Sequence, residues 1–193
     1  ERALLRLLTP LAKLWTGKLA VRIASETCEA FGGAGYIEDT GIPQLLRDAQ
    51  VYPIWEGTTN VLALDSLRAI ASVGVEPLLD TADALLAEIL KSRASASLEA
   101  HAMSVCSAIK QASQWLHRNA ANADAMQAGA RDLAFTLARS MAAALLCRQA
   151  AYSIKETGDM RPSQALARFV GAGLVTLPDA SGPHPLDLLD PPQ

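Results

Sequence analysis

Apolar residues recur along most of this chain at the three- and four-residue spacing of amphipathic helices. The pattern predicts that residues 2–8 are the end of a helix, and Thr9-Pro10 predicts a restart, because proline fits the first position of a helix. A second helix is predicted to extend to about Phe31, where Gly32-Gly33 ends it. Its predicted buried stripe consists of Leu11, Trp15, Leu19 and Ile23.

The remaining periodicity predicts further helices, and no stretch alternates with the period of two that marks a strand. These helices are expected over residues 43–50, 58–73, 77–92, 96–121, 124–157 and 162–175. The expected fold class is therefore all-α, a helical bundle with a helical extension.

The expected organisation has three parts. Residues 1–74 form one helical domain, and residues 75–177 form an extension whose small residues, such as Ala142-Ala143-Ala144, suggest a role in assembly. Residues 178–193 contain five of the ten prolines and are expected to be a tail that is disordered or lies along a surface. The chain begins at Glu1 within an amphipathic pattern, so we expect a piece of a longer protein.

Composition and charge exclude several classes of function. The formal net charge is −3, and residues 1–74 carry eight acidic and seven basic side chains, so no basic stripe supports DNA binding. No apolar run approaches the roughly 18–20 residues that a membrane span needs. The three cysteines are far apart, which favours a reducing, cytoplasmic compartment over a disulfide scaffold or structural zinc site. The three histidines share no metal-ligand spacing, so no metal site is predicted.

Two segments carry candidate chemistry. The first, FGGAGYIED from Phe31 to Asp39, has glycines whose backbone can approach a phosphate or ribose, although the run alone is more typical of a helix-capping loop. The second, VYPIWEGTTN, places Glu56 between an aromatic residue and a glycine, just ahead of a helix start. A narrow loop could exclude water from that carboxylate and make it a useful base, and the helix N-terminus suits a pyrophosphate. A capping carboxylate is the simpler alternative.

Together the segments resemble the C-terminal domain of the flavin-dependent acyl-CoA dehydrogenases. The resemblance rests on Gly32-Gly33-Ala34-Gly35-Tyr36, then Arg47-Asp48-Ala49, then Ile54-Trp55-Glu56-Gly57-Thr58, in that order and spacing. Four features look like the adaptive-response, AidB-like branch of this family. They are Trp55 in place of Tyr, Glu29 in place of Gln, the LTP-x-AK motif from Leu8 to Lys13, and the long extension. The resemblance is strong over residues 5–74, weaker over 75–177 and absent in the tail.

The resemblance implies a role for each matching residue. Glu56 would be the catalytic base that removes the α-proton of an acyl-CoA thioester, with its backbone N–H polarising the thioester carbonyl. Thr58 would contact the FAD pyrophosphate, and Asn60 would lie near the adenine. Gly32 and Gly33 would approach the FAD of a neighbouring subunit.

The same resemblance leaves other residues with weaker roles. Glu29 departs from the family's Gln, which puts its cofactor contact in doubt. Arg47 and Asp48 are expected to form a structural ion pair. Arg68 could meet a CoA phosphate but is more typical of an ordinary surface arginine.

The resemblance also implies partners that this chain does not contain. They are an acyl-CoA substrate, expected to be short or branched, an electron-accepting flavoprotein or other acceptor, and further copies in a dimer or tetramer. The family's β domain has no counterpart in the sequence, so the isolated chain is expected to be inactive. The alternative interpretation is a non-catalytic assembly or DNA-associated module of an AidB-like protein, in which assembly outranks DNA because the extension is nearly neutral.

Overall fold

A computed structural model describes residues 1–92 and 96–177 of the chain, and in that part every regular element is helical. The predicted tail, residues 178–193, lies outside the described residues. The α-helices are α1 (Arg2–Ala30), α2 (Ile42–Ala49), α3 (Thr59–Val73), α4 (Glu76–Ser92), α5 (Ala96–Asn119), α6 (Ala123–Ala128), α7 (Ala130–Thr157) and α8 (Arg161–Gly171). Two 3-10 turns, Gly32–Gly35 and Glu38–Thr40, connect α1 to α2. The all-α prediction is confirmed.

The predicted restart at Thr9-Pro10 is wrong, because α1 runs without a break through Pro10. Proline inside a helix removes one hydrogen bond and costs about 3 kcal/mol. Here Pro10 is fully buried together with Leu7, Leu11 and Leu14, so packing of this face offsets the lost bond.

The predicted buried stripe of α1 is only half right. The fully buried residues of α1 stop at Gly17. Leu11 is buried and Trp15 packs against the core, but Ile23 is 57% exposed. The second half of α1 therefore extends beyond the main core and leads to the glycine turn.

Helix α7 is the centre of the bundle and packs against α1, α3, α4, α5 and α8. One continuous cluster of buried apolar residues includes Leu11 and Ala69 from the first 74 residues and Leu86, Leu98 and Leu137 from the extension. The extension thus shares its core with the N-terminal helices. The boundary between two domains after residue 74 remains a prediction. In the structure, the helices on the two sides of this boundary pack together.

The small residues of α7 serve this shared core. Ala143 and Ala144 are fully buried within the chain, which lets neighbouring helices approach α7 closely. They are therefore not available for the subunit contact that the sequence suggested for them.

One helix predicted over residues 124–157 is instead two, α6 and α7, separated at Gly129. A Cβ atom added at Gly129 would lie 2.2 Å from the indole ring of Trp115, which is itself buried. The ring occupies the space that a side chain would need, which explains the glycine at this position. Asn122 caps α6 by accepting a hydrogen bond from the backbone N–H of Ala125 at 3.0 Å.

None of the helices in the described part combines the length and apolarity needed to cross a bilayer. Over the same residues, no group of three or more His, Cys, Asp or Glu side chains is placed to hold a metal ion.

Candidate functional site

The turn between α2 and α3 contains the candidate base. Glu56 has a φ of 57°, and it is the one non-glycine residue with a positive φ among the described residues. Gly57 follows with a φ of 109°. A non-glycine residue held in the left-handed region costs on the order of 1–3 kcal/mol and persists only where the surroundings enforce it, typically at functional sites.

Helix α1 contacts this turn at two positions. The Lys13 ammonium donates a hydrogen bond to the carbonyl oxygen of Gly57 at 2.6 Å in a partly buried position. One helical turn further along α1, a Cβ at Gly17 would come within 3.2 Å of the Tyr52 carbonyl oxygen. The small residue lets the turn cross α1 closely, while the lysine fixes it beside the candidate base.

The backbone at the start of α3 presents unused hydrogen-bond donors. Thr58 is the N-cap residue, but its side chain forms no cap hydrogen bond. Within the described residues, no hydrogen bond uses the backbone N–H of Glu56. The N-terminus of a helix attracts anions. The exposed backbone around Thr58 therefore has the donors that an anionic group would need.

The expected enclosure of Glu56 is wrong for this chain taken alone. Glu56 is exposed, and Trp55 beside it is 70% exposed, so its ring does not exclude water from the carboxylate. Val51, Tyr52 and Ile54 are also exposed, which leaves an apolar surface around the candidate base. Any desolvation of Glu56 needs groups other than these.

Asn60, the predicted adenine contact, lies on the first turn of α3 and meets the extension. Its side-chain oxygen accepts a hydrogen bond from Arg131 of α7 at 3.3 Å. A cavity of about 310 Å³ lies between these helices, lined in part by Leu64, Gln127 and Ala130. Sequence reasoning missed Arg131, since it is 71 residues from Asn60 and belongs to no recognisable motif.

The glycines of the turn after α1 differ in how closely the rest of the chain approaches them. Gly35 is buried, and a Cβ there would lie 1.9 Å from the carbonyl oxygen of Cys28, so the chain itself requires this glycine. A Cβ at Gly32 or Gly33 would have no atom of the described residues within 4 Å. Gly32 has a φ of 55°, which explains its glycine, but no contact within the described part of the chain explains Gly33. Both exposed glycines therefore leave room for a group from outside to approach.

The structure does not bring the two halves of the predicted site together. The end of the turn that contains Glu56 meets α1 at Lys13, through the carbonyl of Gly57, whereas Gly32 and Gly33 follow the end of α1 at Ala30. At about 1.5 Å per residue, these points are about 25 Å apart along the helix. One chain therefore presents Glu56, Thr58 and Asn60 at one place and the two glycines at another.

The expected ion pair between Arg47 and Asp48 is wrong. Arg47 instead makes a bidentate pair with Glu38, with both N–O distances 2.8 Å, and this partner lowers the pKa of Glu38. The pair lies on the surface and joins α2 to the second 3-10 turn. It supports the segment after the glycine turn and contacts no candidate base.

Arg68, considered for a CoA phosphate, lies 3.5 Å from Asp65 on the same helix. Asp65 also accepts two hydrogen bonds from Arg6 of α1, and this hydrogen bonding is the main cause of the lowered pKa of Asp65. The three side chains form a surface network between α1 and α3, which favours a structural role for Arg68.

Two family profiles match this chain, one on each side of residue 74. The profile described as Acyl-CoA dehydrogenase, C-terminal domain, matches residues 2–71. The profile described as Acyl-CoA dehydrogenase 11 C-terminal domain-like matches residues 80–178. The two together account for both the motif-bearing helices and the extension.

Individual relatives cover the chain to different extents. Acyl-CoA dehydrogenase family member 11 of Caenorhabditis elegans is 44% identical over 159 residues, 79% of this chain and 25% of that protein. The putative acyl-CoA dehydrogenase AidB of Escherichia coli is 41% identical over 78 residues, 40% of this chain and 14% of that protein. This chain therefore spans about a quarter or less of the length of these relatives.

A solved structure is similar over nearly the whole chain. The crystal structure of C. elegans ACDH-11 in complex with C11-CoA superimposes with a TM-score of 0.82 at 37% identity, covering 92% of this chain and 30% of that one. The similarity extends across the extension as well as the motif-bearing helices.

Proposed function

Because this chain belongs to the acyl-CoA dehydrogenase family, as its C-terminal helical domain with an extension of the acyl-CoA dehydrogenase 11 type, we propose that it contributes the catalytic base to α,β-dehydrogenation of an acyl-CoA. The observation that carries this proposal is the strained turn ahead of α3. It exposes the carboxylate of Glu56 and leaves its backbone N–H without a partner among the described residues, next to a helix N-terminus that has no side-chain cap.

Glu56 accepts the α-proton of the thioester in this proposal. Such protons are weakly acidic, so the base needs a polarised thioester carbonyl as well as a site that excludes water. The backbone N–H of Glu56, unused within the described residues, is a donor for that carbonyl. Since the carboxylate is exposed in this chain, we propose that the groups enclosing it belong to the part of the relatives that lies outside the quarter matched by this chain.

FAD is the cofactor we propose, and it supplies the hydride acceptor when bound. The uncapped N-terminus at Thr58 would hold its pyrophosphate, and Asn60 would face its adenine. Gly32 and Gly33, about 25 Å along α1 from this position, would approach the flavin of a second subunit. That division of residues between two flavin sites requires an oligomer, a dimer or a tetramer.

The finer identity is also a proposal. The nematode relative aligns over about twice as much of this chain as E. coli AidB does, so the extension supports the acyl-CoA dehydrogenase 11 type more directly than the AidB-like branch. A cytoplasmic location and a separate electron-accepting flavoprotein remain predictions from the family resemblance.

The substrate class follows from the same comparison. A structure that resembles this chain was solved with C11-CoA, so a test series should extend from short and branched acyl-CoAs to chains of that length. The intact protein is expected to be purified with bound flavin and to convert a saturated acyl-CoA to the α,β-unsaturated thioester. A colourless protein that cannot be reconstituted with FAD, or one that leaves every acyl-CoA of the series unchanged, would contradict the proposal.

The isolated 193-residue chain provides a control. Because it presents only an exposed part of the site, we expect it to bind FAD weakly or not at all. Stoichiometric flavin retained through gel filtration by this chain alone would show that the enclosing groups are unnecessary.

A further inference from the structure

Lys13 has no role in the function proposed above, although its position is unusual for a lysine. It lies in the first half of α1, at the end of the LTP-x-AK motif, and its ammonium is partly buried against the carbonyl of Gly57. None of the ion pairs formed within the described residues includes Lys13. The Lys13 ammonium thus donates to an uncharged backbone oxygen, that of the residue directly after the candidate base.

The Gly57 carbonyl depends on this one donor. No backbone N–H in the described part of the chain donates to it, and the 2.6 Å distance is that of a strong, charge-assisted hydrogen bond. The adjacent backbone is in the left-handed conformation at Glu56, which a glutamate does not adopt unless its surroundings enforce it. The Lys13 bond is therefore placed where it can hold that conformation.

We propose that Lys13 is a positioning residue, which fixes the turn so that the Glu56 carboxylate points at the substrate α-carbon. The inference rests on the proposed function of Glu56. The Tyr52 carbonyl also passes close to α1 at Gly17, so the start of the same turn lies against the helix. With the start of the turn against α1 and its end bonded to Lys13, the helix sets the orientation of the carboxylate.

Loss of the Lys13 bond frees the Gly57 peptide to rotate. Glu56 can then relax toward a negative φ, which turns its carboxylate away from the reacting atom. A displacement of about 1 Å at a reacting group costs up to about 100-fold in rate. We therefore expect Lys13→Met to lower kcat by about 10- to 100-fold, with KM for the acyl-CoA changed by less than about threefold, because substrate binding is not its task.

The experiment uses the intact flavin-loaded protein and four variants. Lys13→Met removes the donor, Lys13→Gln offers a second and shorter replacement, and Lys13→Arg keeps the positive charge and hydrogen-bonding capacity. Lys18→Met is the matched control, because it removes a lysine from the same helix five residues further on. For each protein, the flavin content, the melting temperature, kcat and KM are measured. Exchange of the substrate α-protons with D₂O is measured separately, on protein reduced beforehand so that hydride transfer is blocked.

The inference predicts that Lys13→Met and Lys13→Gln keep their flavin and lose kcat and α-proton exchange in parallel. Lys13→Arg should recover at least part of both, and Lys18→Met should equal the wild type. The inference is overturned if Lys13→Met keeps kcat within twofold, or if both neutral variants lose flavin in proportion to activity, since Lys13 then maintains the fold instead. A Glu56→Gln protein that remains active would overturn the proposed function itself, whatever the lysine variants do.

Discussion

Replacing Gly35 by alanine tests the packing of the glycine turn against α1. The added carbon would lie 1.9 Å from the carbonyl oxygen of Cys28 and 2.6 Å from its carbonyl carbon. Ordinary contact begins at 3.4 Å, so the two segments must separate by about 1.5 Å. Both atoms belong to backbone and cannot rotate away as a side chain does, so we expect a cost near the upper end of the usual range for overpacking, about 3 kcal/mol.

For a chain of this length, each kcal/mol lowers the melting temperature by about 2–4 °C. Gly35→Ala is therefore expected to melt about 6–12 °C below the wild type, as measured by circular dichroism at 222 nm. Gly33→Ala is the matched control, since it makes the same change in the same 3-10 turn but meets no atom within 4 Å. Its stability should stay within about 0.5 kcal/mol of the wild type.

Comparing Gly35→Ala with Gly33→Ala also distinguishes a loss of packing from a loss of cofactor binding. If Gly33 faces a cofactor, Gly33→Ala should weaken flavin retention in the intact protein without changing its melting temperature. A Gly35→Ala protein that melts within about 2 °C of the wild type would refute the described contact with Cys28, because a clash of that cost cannot leave the midpoint unchanged. Equal losses in both variants would mean that backbone conformation, rather than contact, requires the glycines.

Three further predictions follow from the same structure. Glu56→Gly should be more stable than Glu56→Ala by about 1 kcal/mol in urea unfolding, because glycine adopts a positive φ without strain, and the reverse order would contradict the strained turn. Gly129→Ala should lower the melting temperature, since its Cβ would meet the Trp115 ring at 2.2 Å, and an unchanged midpoint would exclude that contact. Asp65→Asn should destabilise the chain at pH 7 but not at acidic pH. Arg6 lowers the folded-state pKa of Asp65 below its ordinary value of 3.8. The ionised Asp65 therefore stabilises the fold fully above pH 3.8, and this contribution is lost as the pH falls through the folded-state pKa. A stability difference between the two proteins that does not change with pH would contradict this prediction.

Local signals were enough to predict most helices. Amphipathic spacing and capping residues gave bounds within a few residues for α2, α3, α4 and α5, because each of these helices carries its own period and its own ends. The errors occurred where distant contacts decide the outcome. Pro10 remains inside α1 because its face is buried, and the predicted helix is divided at Gly129, a glycine that packs against the distant ring of Trp115.

The candidate site shows the same division. The motifs identified Glu56 and the glycine turn, since those residues are close in sequence and carry recognisable spacing. Lys13 and Arg131 act on the site from 44 and 71 residues away, so no spacing rule relates them to it. The exposure of Glu56 also escaped prediction, because it depends on which other groups cover the turn.

Rapid mixing decides whether Glu56 is the base of an acyl-CoA dehydrogenation. The intact flavin-loaded protein is mixed anaerobically with a saturated acyl-CoA while the flavin absorbance is followed. We predict that the wild type is bleached, and that Glu56→Gln, with its flavin content unchanged, is bleached more slowly by at least about 100-fold, as expected for loss of general-base catalysis. Bleaching of Glu56→Gln at the wild-type rate would contradict the account.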